Sequence, residues 1–279
     1  MRLWLCGLLT LLLAGCDTGN RQLAAESLLY CIEGAPLTFN PQLVTSSETL
    51  DATAHQLYDR LLDIDPNNQQ PMPALALSWS RSDDALRYRF VLRPGVTFHQ
   101  TAWFSPSRSL NAEDVVFSFR RLMDQGHPYH GVSGGRYPFF DSIGWRELVR
   151  EVNVLSSHEV EFVLSRPDAS FLANLATDYA VVLSAEYADR LLAAGTPQLL
   201  DQQPVGTGPF LLGQYRTDEF IRYHRHPTHW RGAARLGQLV FDITPKSSKR
   251  LAKLLTGECD VMAHPGTSQL SVIREHPAL

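Results

Sequence analysis

The sequence predicts a mixed α/β fold. Two hydrophobic periodicities alternate along the chain: apolar residues at every second position, typical of half-buried strands, and at every third or fourth position, typical of helices that bury one face. The 279 residues are 44% hydrophobic, enough to bury a sizeable core in one or two domains. The alternation of the two kinds of segment favours sheets covered by helices.

The best-defined helix is predicted over 112–124. Asn111 followed by Asp114 resembles a capping box, and an apolar stripe follows it. A second helix is predicted from Ser47 to Leu62, where six apolar residues recur at helical spacing. Further helices are predicted near 169–176, 184–194 and 247–255.

The best-defined strand is predicted over 86–93. Leu86, Tyr88, Phe90 and Leu92 alternate there with mostly charged residues, and Pro94 follows. Order is expected to begin with a strand at 28–32. Other strands are predicted at 158–164, 209–215, 219–224 and 238–243.

The first residues predict export and a lipid anchor. Residues 1–15 form a secretory signal, because one basic residue precedes an apolar run too short to span a bilayer. Residues 13–16 resemble the bacterial lipobox, in which the cysteine is acylated, so Cys16 is the expected first mature residue. The alternative is an ordinary signal with a chance cysteine. Asp17 resembles an inner-membrane retention signal, and 16–27 is a polar tether.

Charge and hydropathy argue against nucleic acid as a partner and against a membrane-spanning segment. Loss of Arg2 with the signal changes the formal net charge from −4 to −5, which is too acidic for a surface that follows nucleic-acid phosphates. The rest of the chain has no apolar run near the roughly 18 residues of a membrane span. Lipid is therefore the expected contact with the membrane, and nucleic acid is not an expected partner.

Four cysteines predict one disulfide. Cys6 leaves with the signal and Cys16 carries lipid, which leaves Cys31 and Cys259 in an oxidising compartment. The alternative is two separate buried thiols. A bond requires their α-carbons to lie within about 7 Å.

Two patterns suggest chemistry that their context opposes. Residues 131–135 fit the G-x-S-x-G pattern of serine hydrolases, but Ser133 follows a loop rich in Gly, His and Pro, and Pro138 comes soon after it. His224, His226 and His229 could bind a transition metal, but no Cys, Asp or Glu lies beside them, so a solvated loop is favoured. The residues therefore indicate neither a catalytic set nor a metal site.

Two other segments have a structural interpretation. Residues 206–209 lack the lysine and helix of a phosphate-binding loop, so they are predicted to form a turn where the chain crosses between lobes. The aromatic segments 103–106 and 137–140 could line a cleft or fill the core, and both alternatives stay open.

Seven ordered blocks together resemble the solute-binding receptors of peptide ABC transporters, extracellular solute-binding family 5. The blocks lie at 30–31 with 39–41, 57–61, 88–96, 110–119, 166–172, 204–210 and 253–261. Residues 58–62 and 254–261 look closer to the Sap type, associated with antimicrobial peptides. Residues 40–43 and 131–135 look closer to the dipeptide type.

The resemblance implies a type II, cluster C periplasmic binding protein-like fold, in which two lobes close on a ligand. Lobe I would comprise 28–58 and 208–279, and domain II would comprise 59–207. The third domain would follow residue 279, and the abrupt C-terminus after a predicted helix also suggests a fragment. The paired cysteines of such receptors match Cys31 and Cys259.

The implied function is that of the periplasmic substrate-binding component of an ABC transporter for dipeptides, oligopeptides or antimicrobial peptides, without enzymatic activity. The implied partners are peptides and the permease subunits in the inner membrane, and we expect a monomer without a cofactor. Haem is implied as a ligand for relatives of both types. A receptor for nickel or another small solute is the alternative, and a serine hydrolase is disfavoured.

The resemblance also implies a ligand-facing segment. Thr45, Ser46 and Ser47 match the part of lobe I that approaches the ligand. The same residues fit a turn that caps the helix beginning near Ser47, and both interpretations can hold. The carboxylate and the arginine that bind peptide termini in dipeptide-type receptors would lie beyond residue 279.

Overall fold

A computed structural model describes residues 26–277 and 279. The predicted signal peptide, Cys16 and almost all of the predicted tether lie outside the described residues. The first strand begins at Ser27, one residue earlier than expected. The mixed α/β fold predicted from the sequence is confirmed.

Eleven strands occur in the described residues, in one large sheet, one small sheet and a short ribbon. They are β1 Ser27–Ile32, β2 Leu62–Ile64, β3 Pro71–Pro73, β4 Ala76–Arg81, β5 Arg87–Leu92, β6 Val149–Ser156, β7 Glu159–Leu164, β8 Phe210–Arg216, β9 Phe220–Arg225, β10 Gln238–Ile243 and β11 Val261–Met262. The large sheet has the order β11-β1-β10-β9-β8, the small sheet has the order β4-β5-β7-β6, and the ribbon pairs β2 with β3.

Eight α-helices accompany these strands within the described residues. They are α1 Ser47–Thr53, α2 Ala112–Met123, α3 Pro138–Ser142, α4 Trp145–Leu148, α5 Phe171–Asn174, α6 Ala185–Ala193, α7 Ser247–Leu255 and α8 Leu270–Glu275. Short 3-10 turns lie at Pro41–Leu43, Val132–Gly134, Pro197–Asp201 and Thr267–Gln269.

The small sheet packs against α2 through an aromatic core. Phe119 of α2 lies 5.2 Å from Phe162 of β7 between ring centroids, and Phe162 lies 5.6 Å from Phe90 of β5. Trp145 is fully buried beside them and stacks on Phe171. Edge-to-face and offset contacts of this kind add to the stability that burial alone supplies.

The local patterns of β5 and α2 are confirmed. Strand β5 alternates exposed and buried residues, with Tyr88, Phe90 and Leu92 facing the core. Both hydrogen bonds of the capping box are present at the start of α2, where the Asp114 carboxylate accepts from the Asn111 backbone N–H at 2.9 Å. Backbone amides that would lack partners at the helix start are thereby satisfied.

The predicted helix from Ser47 to Leu62 is wrong in its second half. Helix α1 ends at Thr53, and after a short turn the chain continues in extended form. The carbonyls of Gln56 and Leu57 accept hydrogen bonds from Phe210 and Gly208, so tertiary pairing replaces the helical bonds. The apolar residues of this stretch are still buried, as their spacing predicted.

Two extended segments cross where the chain passes between the sheets. The Gly208 amide donates to the Leu57 carbonyl at 3.0 Å, and a side chain at Gly206 would place its β-carbon 1.8 Å from that same oxygen. Only glycine permits this close backbone approach. The predicted turn at 206–209 is therefore a crossing, and it joins the part of the chain that carries the large sheet to the part that carries the small one.

Candidate ligand-binding site

The parallel part of the large sheet defines an edge at which ligands can bind. Strand β1 pairs in parallel with both β10 and β11, so the three strands end together at Ile32, Ile243 and Met262. In open α/β sheets, ligands bind outside the carboxyl ends of such strands. The segments that leave this edge, 33–46, 244–246 and 263–269, are therefore the candidate site, which we call the carboxyl edge.

The disulfide lies directly behind the carboxyl edge. Cys31 of β1 is bonded to Cys259, and their α-carbons lie 6.0 Å apart, which confirms the predicted pairing. Both residues are buried, and Cys259 precedes β11 by only two positions. The bond therefore holds the two-residue strand β11, which could not be stable alone, against β1.

The predicted ligand residues lie at the carboxyl edge, at the start of α1. Ser46 is the N-cap of α1, and its hydroxyl accepts from the Thr49 amide at 3.3 Å. Thr45 and Ser47 on either side are exposed. The capping interpretation of Ser46 is confirmed, and contact of these three residues with a ligand stays a prediction.

Titratable side chains that sequence reasoning did not find surround α1 at this edge. Burial is the main cause that raises the pKa of the Asp51 carboxyl; His264 opposes the shift, and Glu48 adds to it. Asp178 lies farther along, and the hydrogen bond from His55 lowers its pKa. A single sequence offers no signal for this grouping, because the residues come from three separate segments.

One of these edge residues has an unusual backbone conformation. His264, just after β11, has φ of 46°, which is uncommon for a residue other than glycine. It follows the buried Ala263, whose amide donates to the Cys31 carbonyl at 2.9 Å. The chain therefore bends at 263–264, directly after β11.

The histidine prediction is corrected by the structure. His226 and His229 are buried, 3% and 8% exposed, whereas a solvated loop was expected; His224 lies on β9 and is exposed. His226 packs against His99, with 4.9 Å between ring centroids, and His229 lies 3.6 Å from the Asp59 carboxylate. The Gly208 carbonyl of the crossing segment accepts from His226 at 3.2 Å, a long-range contact that local sequence could not reveal, whereas His229 Nδ1 lies 3.3 Å from the Gly232 carbonyl in its own loop.

No metal centre emerges from these histidines or elsewhere in residues 26–277. Among the residues that the structure describes, no group of three or more His, Cys, Asp or Glu side chains is placed to hold a metal ion. The same residues contain no helix with the length and hydropathy that a membrane crossing requires.

The serine of the G-x-S-x-G pattern has a different setting from a hydrolase nucleophile. Ser133 lies on the 3-10 turn Val132–Gly134, between helices α2 and α3, rather than between a strand and a helix. Its hydroxyl donates to the Asp201 carboxylate at 2.7 Å. The motif is therefore a loop whose serine binds an acidic partner.

The aromatic segments belong mainly to the core. Phe104, Tyr137 and Phe140 are each less than 5% exposed. Phe139 is half-buried and stacks on Tyr179, with 4.4 Å between ring centroids. The question that the sequence left open is decided in favour of packing for the three buried rings.

Comparison with known families decides the classification. Residues 70–279 match the family described as bacterial extracellular solute-binding proteins, family 5 Middle. The chain belongs to this family. The family is one of solute-binding proteins, and the resemblance predicted from the seven blocks is confirmed.

Two curated relatives illustrate the similarity of this family member. The peptide transport periplasmic protein SapA of Salmonella typhimurium is 49% identical over 263 residues, which are 94% of this chain and 48% of that protein. Heme-binding protein A of Haemophilus influenzae is 42% identical, with 96% of this chain and 51% of that protein covered. The chain spans about half the length of the curated relatives it matches.

A solved relative confirms the fold of this family member. The dipeptide-binding protein of a Pseudoalteromonas species, crystallised with Met-Leu, superposes with a TM-score of 0.88 and 47% identity. The match covers 90% of this chain and 50% of that one. The fold is thus that of one half of a two-lobed periplasmic binding protein.

Proposed function

We propose that this chain is part of a periplasmic receptor that binds peptides and delivers them to an ABC transporter. The observation that carries the proposal is the superposition on the dipeptide-binding protein solved with Met-Leu, at 47% identity over 90% of the chain. The carboxyl edge of the large sheet supports it, because ligands bind at such edges in open α/β sheets.

The proposed receptor has lobe I at 28–58 and 208–279 and domain II at 59–207. The close crossing of Leu57 and Gly208 supports these boundaries, since the chain passes there between the two sheets. The large sheet would belong to lobe I and the small sheet to domain II. In a protein as long as the curated relatives, the additional residues would cover β11 and α8. Val261 of β11 and Val272 of α8 are 39% and 45% exposed.

In the proposed mechanism the carboxyl edge forms the near wall of the peptide site. Thr45, Ser46 and Ser47 would face the ligand, with the hydroxyls of Thr45 and Ser47 available because both side chains are exposed. An extended peptide would be recognised through backbone hydrogen bonds and neutralised termini, and a hinge would then close around it. The receptor would bind its ligand without chemical change.

The proposed location is the periplasm, with Cys16 acylated and anchored to the inner membrane. The lipobox-like residues 13–16 and the retention-like Asp17 support this. We further propose that the receptor is a monomer and that the permease subunits in the inner membrane are its partners. Mass spectrometry of the protein isolated from its host membranes would detect the acyl mass on Cys16, and an unmodified cysteine would contradict the anchor.

The decisive test is a calorimetric and thermal-shift titration of the complete polypeptide isolated from its host. Dipeptides, tripeptides, a cationic antimicrobial peptide, haem and nickel would each be added. Saturable stabilisation by peptides, with the bound peptide recovered intact, is expected. Stabilisation by nickel alone or by haem alone would overturn the peptide proposal, and recovery of cleaved peptide would overturn binding without chemistry.

The contribution of the ligand segment is tested by the double variant Thr45→Ala/Ser47→Ala. It is expected to weaken peptide binding by about tenfold, the effect of losing roughly one or two hydrogen bonds. The control is Ser80→Ala on the exposed part of β4 in the small sheet. Equal affinity of the double variant and the control would remove these residues from the site.

A further inference from the structure

Asp201 is the centre of a buried polar cluster that the sequence did not reveal. It is 2% exposed, and its carboxylate accepts hydrogen bonds from the Asn40 side chain and the Ser133 hydroxyl, each at 2.7 Å. Its backbone carbonyl accepts from the Phe39 amide at 2.9 Å and from the Thr38 hydroxyl at 3.0 Å. One residue thus holds three consecutive residues, 38–40, and the loop that carries Ser133.

A buried arginine balances the charge of this carboxylate. Arg121 of α2 is fully buried, and its Nη1 lies 3.7 Å from Oδ1 of Asp201. Its Nε donates to the Tyr137 hydroxyl at 3.3 Å, which fixes the direction of the guanidinium. The low-dielectric surroundings strengthen the attraction between the two charges, so the carboxylate stays oriented towards Asn40 and Ser133.

The segment held by Asp201 leads directly into the proposed ligand residues. It leaves β1 of the large sheet, yet its buried Gln42 donates to the carbonyls of Ser118 and Val181, at 3.2 and 3.4 Å, in the part of the chain around the small sheet. Asn40 caps the 3-10 turn Pro41–Leu43 by accepting from the Gln42 amide at 3.0 Å. Thr45 follows two residues after this turn.

Ser133 is the outermost member of the cluster. The residue is exposed, although its hydroxyl points to the buried carboxylate. Its φ of 59° is left-handed, and Gly134 and Gly135 after it also have positive φ, at 98° and 64°. A serine in this conformation is uncommon, and strained backbone of this kind persists where surrounding contacts hold it.

We propose that Ser133 and Asp201 are positioning residues that hold 38–43, and through it Thr45–Ser47, in the geometry that receives a ligand. The effect on ligand binding rests on the proposed peptide-binding function, whereas the ordering of 38–43 by the cluster does not. The loop 131–135 of the proposed domain II thereby acts on a segment of the proposed lobe I. A segment ordered before binding loses less entropy when the ligand arrives.

The first test measures hydrogen exchange of the backbone amides of residues 38–43 in the 279-residue chain without ligand. Ser133→Gly removes the hydroxyl without straining the left-handed backbone. The amide of Phe39 and its neighbours are expected to exchange about tenfold faster, the result of losing one hydrogen bond to a charged acceptor. Amides of β5 should keep their rates, because β5 lies outside the cluster.

A matched control and a second variant keep this test decisive. Ser142→Ala also removes a serine hydroxyl that donates at 2.7 Å, but to the Phe139 carbonyl in its own helix, and should leave 38–43 unchanged. Asn40→Ser keeps a capping oxygen and loses the bond to Asp201, so it should release the segment as Ser133→Gly does. Unchanged exchange at 38–43 in both cluster variants would overturn the inference.

The second test measures peptide affinity of the complete polypeptide carrying Ser133→Gly. The dissociation constant is expected to rise by about tenfold while the thermal midpoint without peptide changes little. Faster exchange with equal affinity would show that the cluster orders the segment without serving binding, and would overturn the functional part. If the unmutated protein binds no peptide, the proposed function fails, and the exchange experiment still decides the structural part.

Discussion

His99 and His226 donate hydrogen bonds to one backbone carbonyl, that of Gly208. The donor distances are 2.9 Å from His99 Nε2 and 3.2 Å from His226 Nδ1. The Gly206 amide donates to the remaining ring nitrogen of His99 at 3.2 Å. Because one nitrogen of His99 must donate and the other must accept, only the neutral ring fits this crossing.

The first prediction concerns stability in weak acid. Burial lowers the pKa of His99 to about 3, and it also lowers the pKa of His226. The unfolded chain then binds more protons than the folded one below the ordinary histidine pKa of about 6.5, so stability falls as the pH falls from there. Below pH 6.5 His99 contributes a slope that approaches about 1.4 kcal/mol per pH unit, and His226 adds to it in the same direction. Urea unfolding at pH values from 8 to 5 measures the slope.

The variant His99→Gln tests this assignment. Glutamine can donate to the Gly208 carbonyl and accept from the Gly206 amide, but it does not titrate. The slope of the unfolding free energy against pH should therefore decrease by about 1.4 kcal/mol per pH unit between pH 6.5 and 5, the contribution of about one proton. His158→Gln, in the turn between β6 and β7, is the control. An unchanged slope in His99→Gln would show that the ring is not the acid-sensitive group.

The second prediction concerns the close crossing of two backbone segments. In Gly208→Ala the new β-carbon would lie 2.5 Å from the Leu57 carbonyl carbon and 2.6 Å from the Tyr58 amide nitrogen. Backbone atoms cannot move away as a flexible side chain would, so a loss of at least about 3 kcal/mol is expected in urea unfolding. Gly131→Ala, with open space and φ of −82°, should change stability little. Similar midpoints for the two variants would contradict the crossing.

The third prediction concerns the disulfide. Reduction of Cys31–Cys259, which are separated by 228 positions, should lower the free energy of unfolding by about 2 to 5 kcal/mol. The expected cause is greater freedom of the unfolded chain together with weaker pairing of β11. The thermal midpoint with and without a reductant measures the loss. The double variant Cys31→Ser/Cys259→Ser is the control, and a response of that variant to reductant would assign the effect elsewhere.

The fourth prediction concerns the start of α2. The fully buried Asp114 carboxylate accepts from both terminal nitrogens of Arg108, at 2.6 and 2.9 Å, and from the Ala185 amide at 2.8 Å. Asp114→Ala leaves these donors without an acceptor and should cost about 3 to 5 kcal/mol. Glu113→Ala, one residue earlier and exposed, should cost less than about 0.5 kcal/mol. Chemical denaturation compares the two, and equal midpoints would refute the role of Asp114.

Local sequence was sufficient to predict a helix or strand where the segment has one clear apolar face or supplies its own capping hydrogen bonds. Strand β5 and helix α2 follow their predicted periodicities closely. Strands β4 and β6 were missed, because their exposed faces carry a mixture of apolar and polar residues, such as Leu77 and Val154, that obscures the alternation. Their strand state depends on pairing with β5 and β7 across long sequence separations.

Of the candidate site, the sequence located the segment but not its surroundings. Ser46 caps the helix that begins at Ser47, beside the carboxyl edge, and contact of Thr45–Ser47 with a ligand stays a prediction. Asp201, which contacts residues 38–40, and its ion-pair partner Arg121 are 80 residues apart in the chain, and no local pattern connects them. The signal that singled out Ser133 was a hydrolase motif, and only its hydrogen bond to Asp201 showed what the serine contacts.

The sequence by itself determined the fold class, the family, the capping of α2 and the cysteine pairing, because composition, periodicity and ordered motifs carry that information along the chain. The tertiary structure decided where α1 ends, how His226 and His229 are buried, and which groups surround the carboxyl edge. Backbone groups and buried polar side chains must find partners, and those partners come from segments that only the completed fold brings together.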